Sequence, residues 1–262
     1  MPTNSFKNPI GLDISDFKIR FFQFNYKGRN QAKINSFGEI SVPSGYIVGG
    51  EIKKEAEVVD LIKKLITQPI FGKLNNKYVN AALPEKKIYI KTIEIPNVPD
   101  NEIKGAVSWG IEQNIPVTLD QIYYDWRAVR QNLTSDEKKI KILVAVAPRT
   151  IVDHYTNIIK KAELLPVGLE NESVAISRCL LDQKSNIKRP LLILDLGRSK
   201  TNLIIFDNNA VQFTSILDIC GQEMTKAIAQ SLKLSEKDAE KAKIICGLDQ
   251  RKGRGAIKKI LE

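Results

Sequence analysis

One pattern occurs twice in this chain, and it narrows what the chain can fold into. The stretch "IGLDISDFKIRFFQF" (10–24) aligns without gaps on "LILDLGRSKTNLIIF" (192–206). Asp13 falls on Asp195, Leu12 on Leu194, Lys18 on Lys200 and Phe24 on Phe206. Each copy reads as an apolar strand, an aspartate, a tight polar turn, a lysine and a second strand. Each opens a run of three strands followed by a helix. A duplicated βββα unit predicts two pseudo-symmetric α/β domains facing each other across a cleft.

The rest of the chain fits around that repeat. Residues 9–42 supply the first three strands, and "SGYIVGGE" reads as a glycine-rich turn. Val58, Leu61, Ile62 and Leu65 stand at helical spacing, and "KYVNAAL" reads as a short strand. The block 84–148 then interrupts the first unit like an inserted subdomain. It holds an alternating strand (Ile88, Ile90, Ile93, Ile95), a helix with Asp100 as N-cap and Ile103, Ala106, Val107 and Ile111 as its apolar stripe, and a strand pair joined by "NLTSDE". Residues 150–162 read as a helix, "LPVGLE" as a strand, "NESVAISRCLLDQ" as a helix and "KSNIKRP" as a linker. The second three-strand run follows, then helices near 222–232 and 235–245. A length of 262 residues, 43% of them hydrophobic, suits two modest domains or one with an insertion.

The twin turns carry a specific chemistry. A tight turn aims backbone N–H groups at one point, which suits phosphate oxygens. Gly197 allows close backbone approach, and Lys18 and Lys200 can neutralise phosphate charge. Asp13 and Asp195 would repel phosphate alone, so they call for a hydrated Mg²⁺ between, an ion that keeps several waters and needs only one or two carboxylates. The competing reading is that each aspartate caps its hairpin turn. Two copies in matching topological positions favour the metal.

Other chemistries are excluded or weakened. Neither GxxxxGK[ST] nor a strand–GxGxxG–helix occurs. His154 is the only histidine, which excludes a zinc site built from histidines; in its helical pattern it reads as an ordinary surface or core residue. Cys179, Cys220 and Cys246 form no CxxC pair and read as reduced thiols. No apolar leader or membrane-length apolar run occurs. The net charge of +10 fits an acidic ligand, nucleic acid, a membrane surface or simply a solvated lysine-rich surface. The basic stretch 233–262, net +4, mixes both signs, so direct nucleic-acid binding is not expected.

"GLDIS" and "ILDLGRSKTN" together resemble the two phosphate motifs of the actin-like ATPase superfamily. "LPEKKIYIKTIEIP", "WGIEQNIPVTLDQIYYDW", "LVAVAPRTIVDHY", "GLENESVAISRCLL", "FTSILDICGQEMTKAIAQSL" and "AEKAKIICGL", in that order, resemble the PilM family of type IV pilus assembly proteins, itself similar to FtsA. The likeness runs from about residue 9 to 248. It implies an actin-like ATPase fold of duplicated RNase H-like βββαβαβα domains, with an FtsA-like 1C subdomain inserted in domain 1. Subdomain 1A would take 1–83 and 149–186, and 1C would take 84–148. Residues 187–234 would begin 2A and 235–262 would begin 2B.

The resemblance also implies ATP and Mg²⁺ as cofactors. It implies docking of the N-terminal peptide of a PilN-like inner-membrane protein in a groove between 1A and 1C, contact with pilus motor ATPases, and self-association as a homo-oligomer. The expected place is the cytoplasm, reaching the inner membrane only through a partner. Carried over by position, Asp13 and Asp195 are the metal-water carboxylates, and Ser15, Lys18, Gly197, Lys200 and Thr201 the phosphate contacts. Glu172 falls on the residue that orients attacking water; a helix N-terminal carboxylate is the other reading. Glu240 and Lys243 fall on the adenosine-contacting helix, or form an ordinary ion pair. Gly221 begins the loop leading there. Ser15 departs from the glycine of many members, and family members continue past the position of Glu262, so the chain reads as C-terminally truncated. The expected function is an ATP-binding adaptor with weak or no ATPase activity. The alternative is an FtsA-like filament-forming ATPase or a membrane-linked cell-division or secretion scaffold.

Overall fold

Alternating side chains set the first sheet. The structure, a computed structural model, describes residues 8–27, 31–99, 101–116, 118–129, 138–181 and 189–262. In β1 (Ile10–Ile14), Ile10, Leu12 and Ile14 are buried while Gly11 and Asp13 take the opposite face. β1 pairs antiparallel with β2 (Lys18–Lys27), and β2 with β3 (Gln31–Ser41), so Asp13 lies opposite Arg20 and Arg20 opposite Glu39. A short hairpin, β4 (Ile47–Val48) and β5 (Glu51–Ile52), turns at Gly49 and Gly50. There the chain adopts φ of +59° and +78°, which glycine tolerates without strain.

Helix α1 (Glu55–Thr67) buries Val58, Val59, Ile62 and Leu65, with Glu55 and Glu57 at its positive end. The expected Leu61 is only partly buried and Val59 takes its place. The buried face turns toward a second helix as well as toward the sheet. β6 (Phe71–Gly72) edges β3, and β7 (Tyr78–Leu83) runs parallel to β1.

The inserted block leaves after β7. It comprises β8 (Tyr89–Pro96), α2 (Ile103–Asn114), β9 (Ile122–Ala128) and β10 (Lys139–Pro148), with sheet order β8-β10-β9. Ile93, Ile95, Val107, Ile111, Ile142 and Val144 form its own core. The apolar spacing from Ile90 to Ile93 breaks the two-residue period. Ile93 and Ile95 pack toward α2, while Ile90, paired with Ala145, takes the other face of the sheet. The expected cap Asp100 lies outside the described residues, as do parts of "NLTSDE" and "KSNIKRP".

The chain returns through α3 (Arg149–Lys161), β11 (Leu165–Asn171) and α4 (Glu172–Leu180). β11 pairs parallel with β7, giving the order β11-β7-β1-β2-β3-β6. Tyr155, Ile158 and Ile159 of α3 join the α1 stripe beneath Leu12, Ile19 and Phe21. The C-terminal ends of the parallel strands β1, β7 and β11 thus come to one side of the sheet, the usual position for a ligand site.

Two compact units result: Met1–Pro190 with Phe206–Phe213, and Leu191–Ile205 with Thr214–Glu262. β12 (Leu191–Leu196), β13 (Thr201–Asp207) and β14 (Ala210–Leu217) form one sheet in that order. α5 (Gly221–Leu232), α6 (Glu236–Cys246) and α7 (Ala256–Leu261) follow. Ile228, Ala229, Ala239 and Ile257 make a small helical core. Ser235 caps α6 by accepting from the Asp238 amide at 3.1 Å.

Candidate functional site

The two turns of the repeat close in the same way. Ser15 N donates to Lys18 O at 3.0 Å, and Gly197 N donates to Lys200 O at 3.0 Å. These residues occupy matched positions in the alignment. The duplication read from sequence therefore extends to the backbone hydrogen bond that shapes each turn.

Around the first turn the charged side chains are well matched. Asp13, partly exposed, stands 3.6 Å from the Arg20 guanidinium. Lys18 pairs with Glu39, which also accepts from Arg20 Nε at 3.1 Å. The hydrogen bonds from Lys18 and Arg20 hold the Glu39 carboxyl below its usual range. Ser15 adds a hydroxyl bond to Lys18 O at 2.8 Å.

A residue not singled out from sequence, Asp16, reaches across from the same turn. Its carboxylate accepts from Gly49 N at 2.7 Å and Gly50 N at 2.8 Å. Tyr155 donates to Gly50 O at 2.8 Å from the other side. Burial raises the Tyr155 phenol pKa, and the nearby charges of Glu172, Asp16 and Asp13 raise it further. Asp13, Asp16 and Glu172 are therefore brought within electrostatic reach of one hydroxyl.

Glu172 is the first residue of α4, whose N-cap is Asn171, accepting from Val174 N at 3.2 Å. A second carboxylate, buried Glu85, accepts from Ser173 N at 3.2 Å and Ser173 Oγ at 2.7 Å. Two carboxylates thus serve one helix start, Glu172 as its first residue and Glu85 as an acceptor from outside. Glu85 was not singled out from sequence. The available signal was its place just past the end of a parallel strand.

The second turn is embedded in a hydrogen-bonded cluster. Gly221 N donates to Gly197 O at 3.0 Å and Gln222 N to Arg198 O at 2.8 Å, so the start of α5 abuts the turn. A Cβ on Gly197 would lie 2.6 Å from Lys200 O, which requires glycine there. Asp195 accepts from Asn202 Nδ2 at 3.3 Å. Thr201 is buried and its hydroxyl donates to Ile219 O, joining β13 to the loop before α5.

Lys243 reaches Gly221 O at 2.7 Å, Thr225 Oγ1 at 2.8 Å and Glu240 at 2.7 Å. Thr225 also bonds Glu240, and the Lys243 and Thr225 bonds hold the Glu240 carboxyl below its usual range. Glu240 and Lys243 do form an intrahelical ion pair, and they also fasten α6 to the start of α5. Thr225, which joins both, had no signal in the sequence.

The chemistry of these donors suits a phosphate ligand with a hard cation. Lys18 and Lys200 bring positive charge beside the two turns, while the amides of Gly221 and Gln222 at the start of α5 are taken by Gly197 O and Arg198 O. Asp13 and Asp195 offer hard oxygens. Among the described residues, no group of three or more His, Cys, Asp or Glu is placed to hold a metal. One or two carboxylates are the usual protein share of a Mg²⁺–phosphate site.

A separate cavity of about 530 Å³ lies within the first unit. Ile90, Leu143 and Ala145 form its floor, on the inserted sheet's face away from α2. Val174, Ser177 and Leu181 form one wall, and Phe206 and Val211 another. Arg127 at the rim donates to Asn209 O at 2.8 Å, and desolvation lowers its pKa. Such a volume and apolar lining are typical of binding sites.

Duplicated βββα units with matched turns and an insertion in the first unit define an actin-like ATPase fold, and comparison with known proteins agrees. A family model described as "Type IV pilus assembly protein PilM" matches residues 11–253. The chain belongs to that family. A solved structure described as the PilM-PilN type IV pilus biogenesis complex is 24% identical with a TM-score of 0.77, covering 97% of this chain and 73% of that one. The ethanolamine utilization protein EutJ from Carboxydothermus hydrogenoformans is 13% identical with a TM-score of 0.54, covering 98% of this chain and 66% of that one. The cell division protein FtsA of Streptococcus pneumoniae serotype 2 is 22% identical over 260 residues, 90% of this chain and 55% of that protein. The chain thus spans just over half the length of that curated relative. No helix among the described residues is long and apolar enough to cross a membrane.

Proposed function

We propose that this chain is an ATP-binding adaptor of the type IV pilus inner-membrane assembly complex. The observation that carries the nucleotide half is the matched turn bond, Ser15 N to Lys18 O and Gly197 N to Lys200 O, in a chain of the PilM family. Asp13 and Asp195 would hold the waters of a Mg²⁺ ion, and the turn amides with Lys200 would take phosphate oxygens. Magnesium, when bound, neutralises phosphate charge. Glu172 would orient a water, and Glu240 with Lys243 would border the nucleoside. In this reading 1–83 with 149–186 is subdomain 1A, 84–148 is 1C, and 187–234 and 235–262 begin 2A and 2B.

The partner half rests on the apolar cavity between the inserted sheet and α4. It is the groove in which we place the N-terminal peptide of a PilN-like protein, which would bring a cytoplasmic chain to the inner membrane. Motor ATPases and further copies of the chain would act on this assembly. The 22% identity to FtsA supports a second reading, a filament-forming ATPase.

One set of measurements separates the two. Calorimetry with Mg-ATP and with a synthetic PilN N-terminal peptide is run beside phosphate release and pelleting. The adaptor predicts that both ligands bind, with negligible turnover and no filaments. Rapid phosphate release with pelleted filaments would replace it with the FtsA-like reading.

A further inference from the structure

Half of the chain's net charge is gathered at one end of the first unit. β1, β7 and β11 run parallel, so the residues that precede β7 and β11 lie at the end of the sheet opposite the first turn. β2 runs antiparallel to β1, which brings the β2–β3 junction there as well. Glu163 stands 3.6 Å from Lys63 of α1 and 3.8 Å from Lys77 before β7. Leu165 N donates to Lys77 O at 2.8 Å, and Asn35 Nδ2 of β3 donates to Lys73 O at 2.8 Å. Lys33, Lys63, Lys64, Lys73, Lys77 and Lys160 thus meet one carboxylate, Glu163, in a chain of net charge +10. From Leu61 to Pro84 the sequence holds no Asp or Glu. Helix dipoles account for Lys64 and Lys160, each in a last turn. Lys33, Lys73 and Lys77 belong to no helix.

Apolar side chains share that end. Tyr26 is 61% exposed and Ile70 63%, and Ile34 and Phe71 are exposed beside them. Tyr26, Phe24, Phe22, Phe37 and Phe71 form one chain of ring contacts, with centroids 5.0 to 6.3 Å apart. A contiguous apolar surface rimmed by charge ordinarily marks a contact site.

We propose that this end of the first unit meets an anionic lipid surface directly, its lysines against phospholipid headgroups and Tyr26, Ile70 and Phe71 within the headgroup layer. Charge complementarity selects that occupant. An anionic leaflet attracts a polybasic surface, and apolar side chains set among lysines gain by entering the interface. A nucleic acid is also a polyanion, but it gives exposed isoleucines no apolar phase to enter, and phosphate-reading sites favour the planar fork of arginine. Among the described residues of this end the cations are all lysines. The inference goes beyond the adaptor reading, in which a partner supplies the membrane link, and stands without it. Where both operate, a tether and a surface contact reinforce each other through effective concentration.

The test is co-sedimentation of the full chain with phosphatidylglycerol–phosphatidylcholine vesicles and with phosphatidylcholine vesicles alone. Binding should require the anionic lipid and weaken as salt is raised. Lys64→Gln, Lys73→Gln and Lys160→Gln together remove charges outside the Glu163 pairs. They should weaken binding about 100-fold, about fivefold for each lysine. Lys73→Gln alone, outside any helix or strand, should cost that fivefold and carries the test if the triple variant does not fold. Lys104→Gln, Lys138→Gln and Lys141→Gln together, on the inserted block, should cost less than about threefold, because distant charges are screened. Ile70→Ser should weaken binding about threefold or more with the charge unchanged. Equal binding to neutral vesicles, equal losses in the two triple variants, or wild-type affinity of Lys73→Gln or Ile70→Ser would overturn the proposal. Tighter binding to a DNA duplex than to the anionic vesicles would replace lipid with nucleic acid.

Discussion

The two copies of the turn share a hydrogen bond, an aspartate and a lysine, and differ in what holds the turn in place. At matched positions, Ser15 keeps a side chain that adds a bond to Lys18 O, whereas Gly197 has no room for a Cβ. The next residue is Asp16 in one copy and Arg198 in the other. Asp16 turns its charge onto the amides of Gly49 and Gly50, and the backbone of Arg198 takes the amide of Gln222 from α5. The first turn is therefore held by a carboxylate and the second by a helix start. Duplication preserved the backbone shape, and each unit met the need for packing partners with different residues.

That contrast can be broken by substitution. Gly197→Ala should destabilise the second unit by on the order of 1–3 kcal/mol, because Lys200 O must move. Ser15→Ala at the matched position keeps the Cβ that Gly197 cannot carry and should cost about 1 kcal/mol or less, the loss of one partly buried bond. Denaturant titration of both variants checks this, and equal effects would remove the asymmetry.

Asp13→Ala and Asp195→Ala sharpen the likeness instead. Each should weaken Mg-ATP binding by about tenfold or more, the scale of a charge-assisted interaction. If neither does so in calorimetry, the paired-carboxylate reading is wrong. Glu85→Ala tests the start of α4. It leaves the Ser173 amide and hydroxyl without their acceptor, for a loss of about 1–3 kcal/mol in the first unit.

The smallest effect concerns acid. Hydrogen bonds from Lys53 and then Lys87 lower the Glu51 pKa to about 2. A depressed folded-state value contributes stability that is full above the unfolded value of 4.5 and lost as pH falls toward 2. Carboxyl NMR titration should place Glu51 well below 4.5. Lys53→Ala should move it back toward 4.5, and no movement would show the pairing to be idle in solution.

The sequence made the repeat legible because its spacing is local and its offset constant. Three-strand runs, α3, α5 and α6 followed from period and turn chemistry to within a residue or two. What escaped was tertiary. Asp16 gains its role from glycines thirty-odd residues away, and Glu85 from a helix beyond the whole insertion. Ile90 looked like part of one alternating face, but the missing beat before Ile93 turns it to the opposite side, where it floors the groove. A broken period was the visible trace of a two-sided sheet.

The Gly49–Gly50 tip acts as a rivet through three plates. Asp16 pins it to the first turn and Tyr155 pins it to α3. Beside it, Pro84 leaves no room for a Cβ on Gly50, and Glu51 grips Lys87 at the entrance to the insertion. The first turn and the strand that floors the groove therefore share a fastening. A load on either one is carried to the other through this tip, so the hydrogen bonds of Asp16 and Tyr155 brace the groove floor as well as the turn.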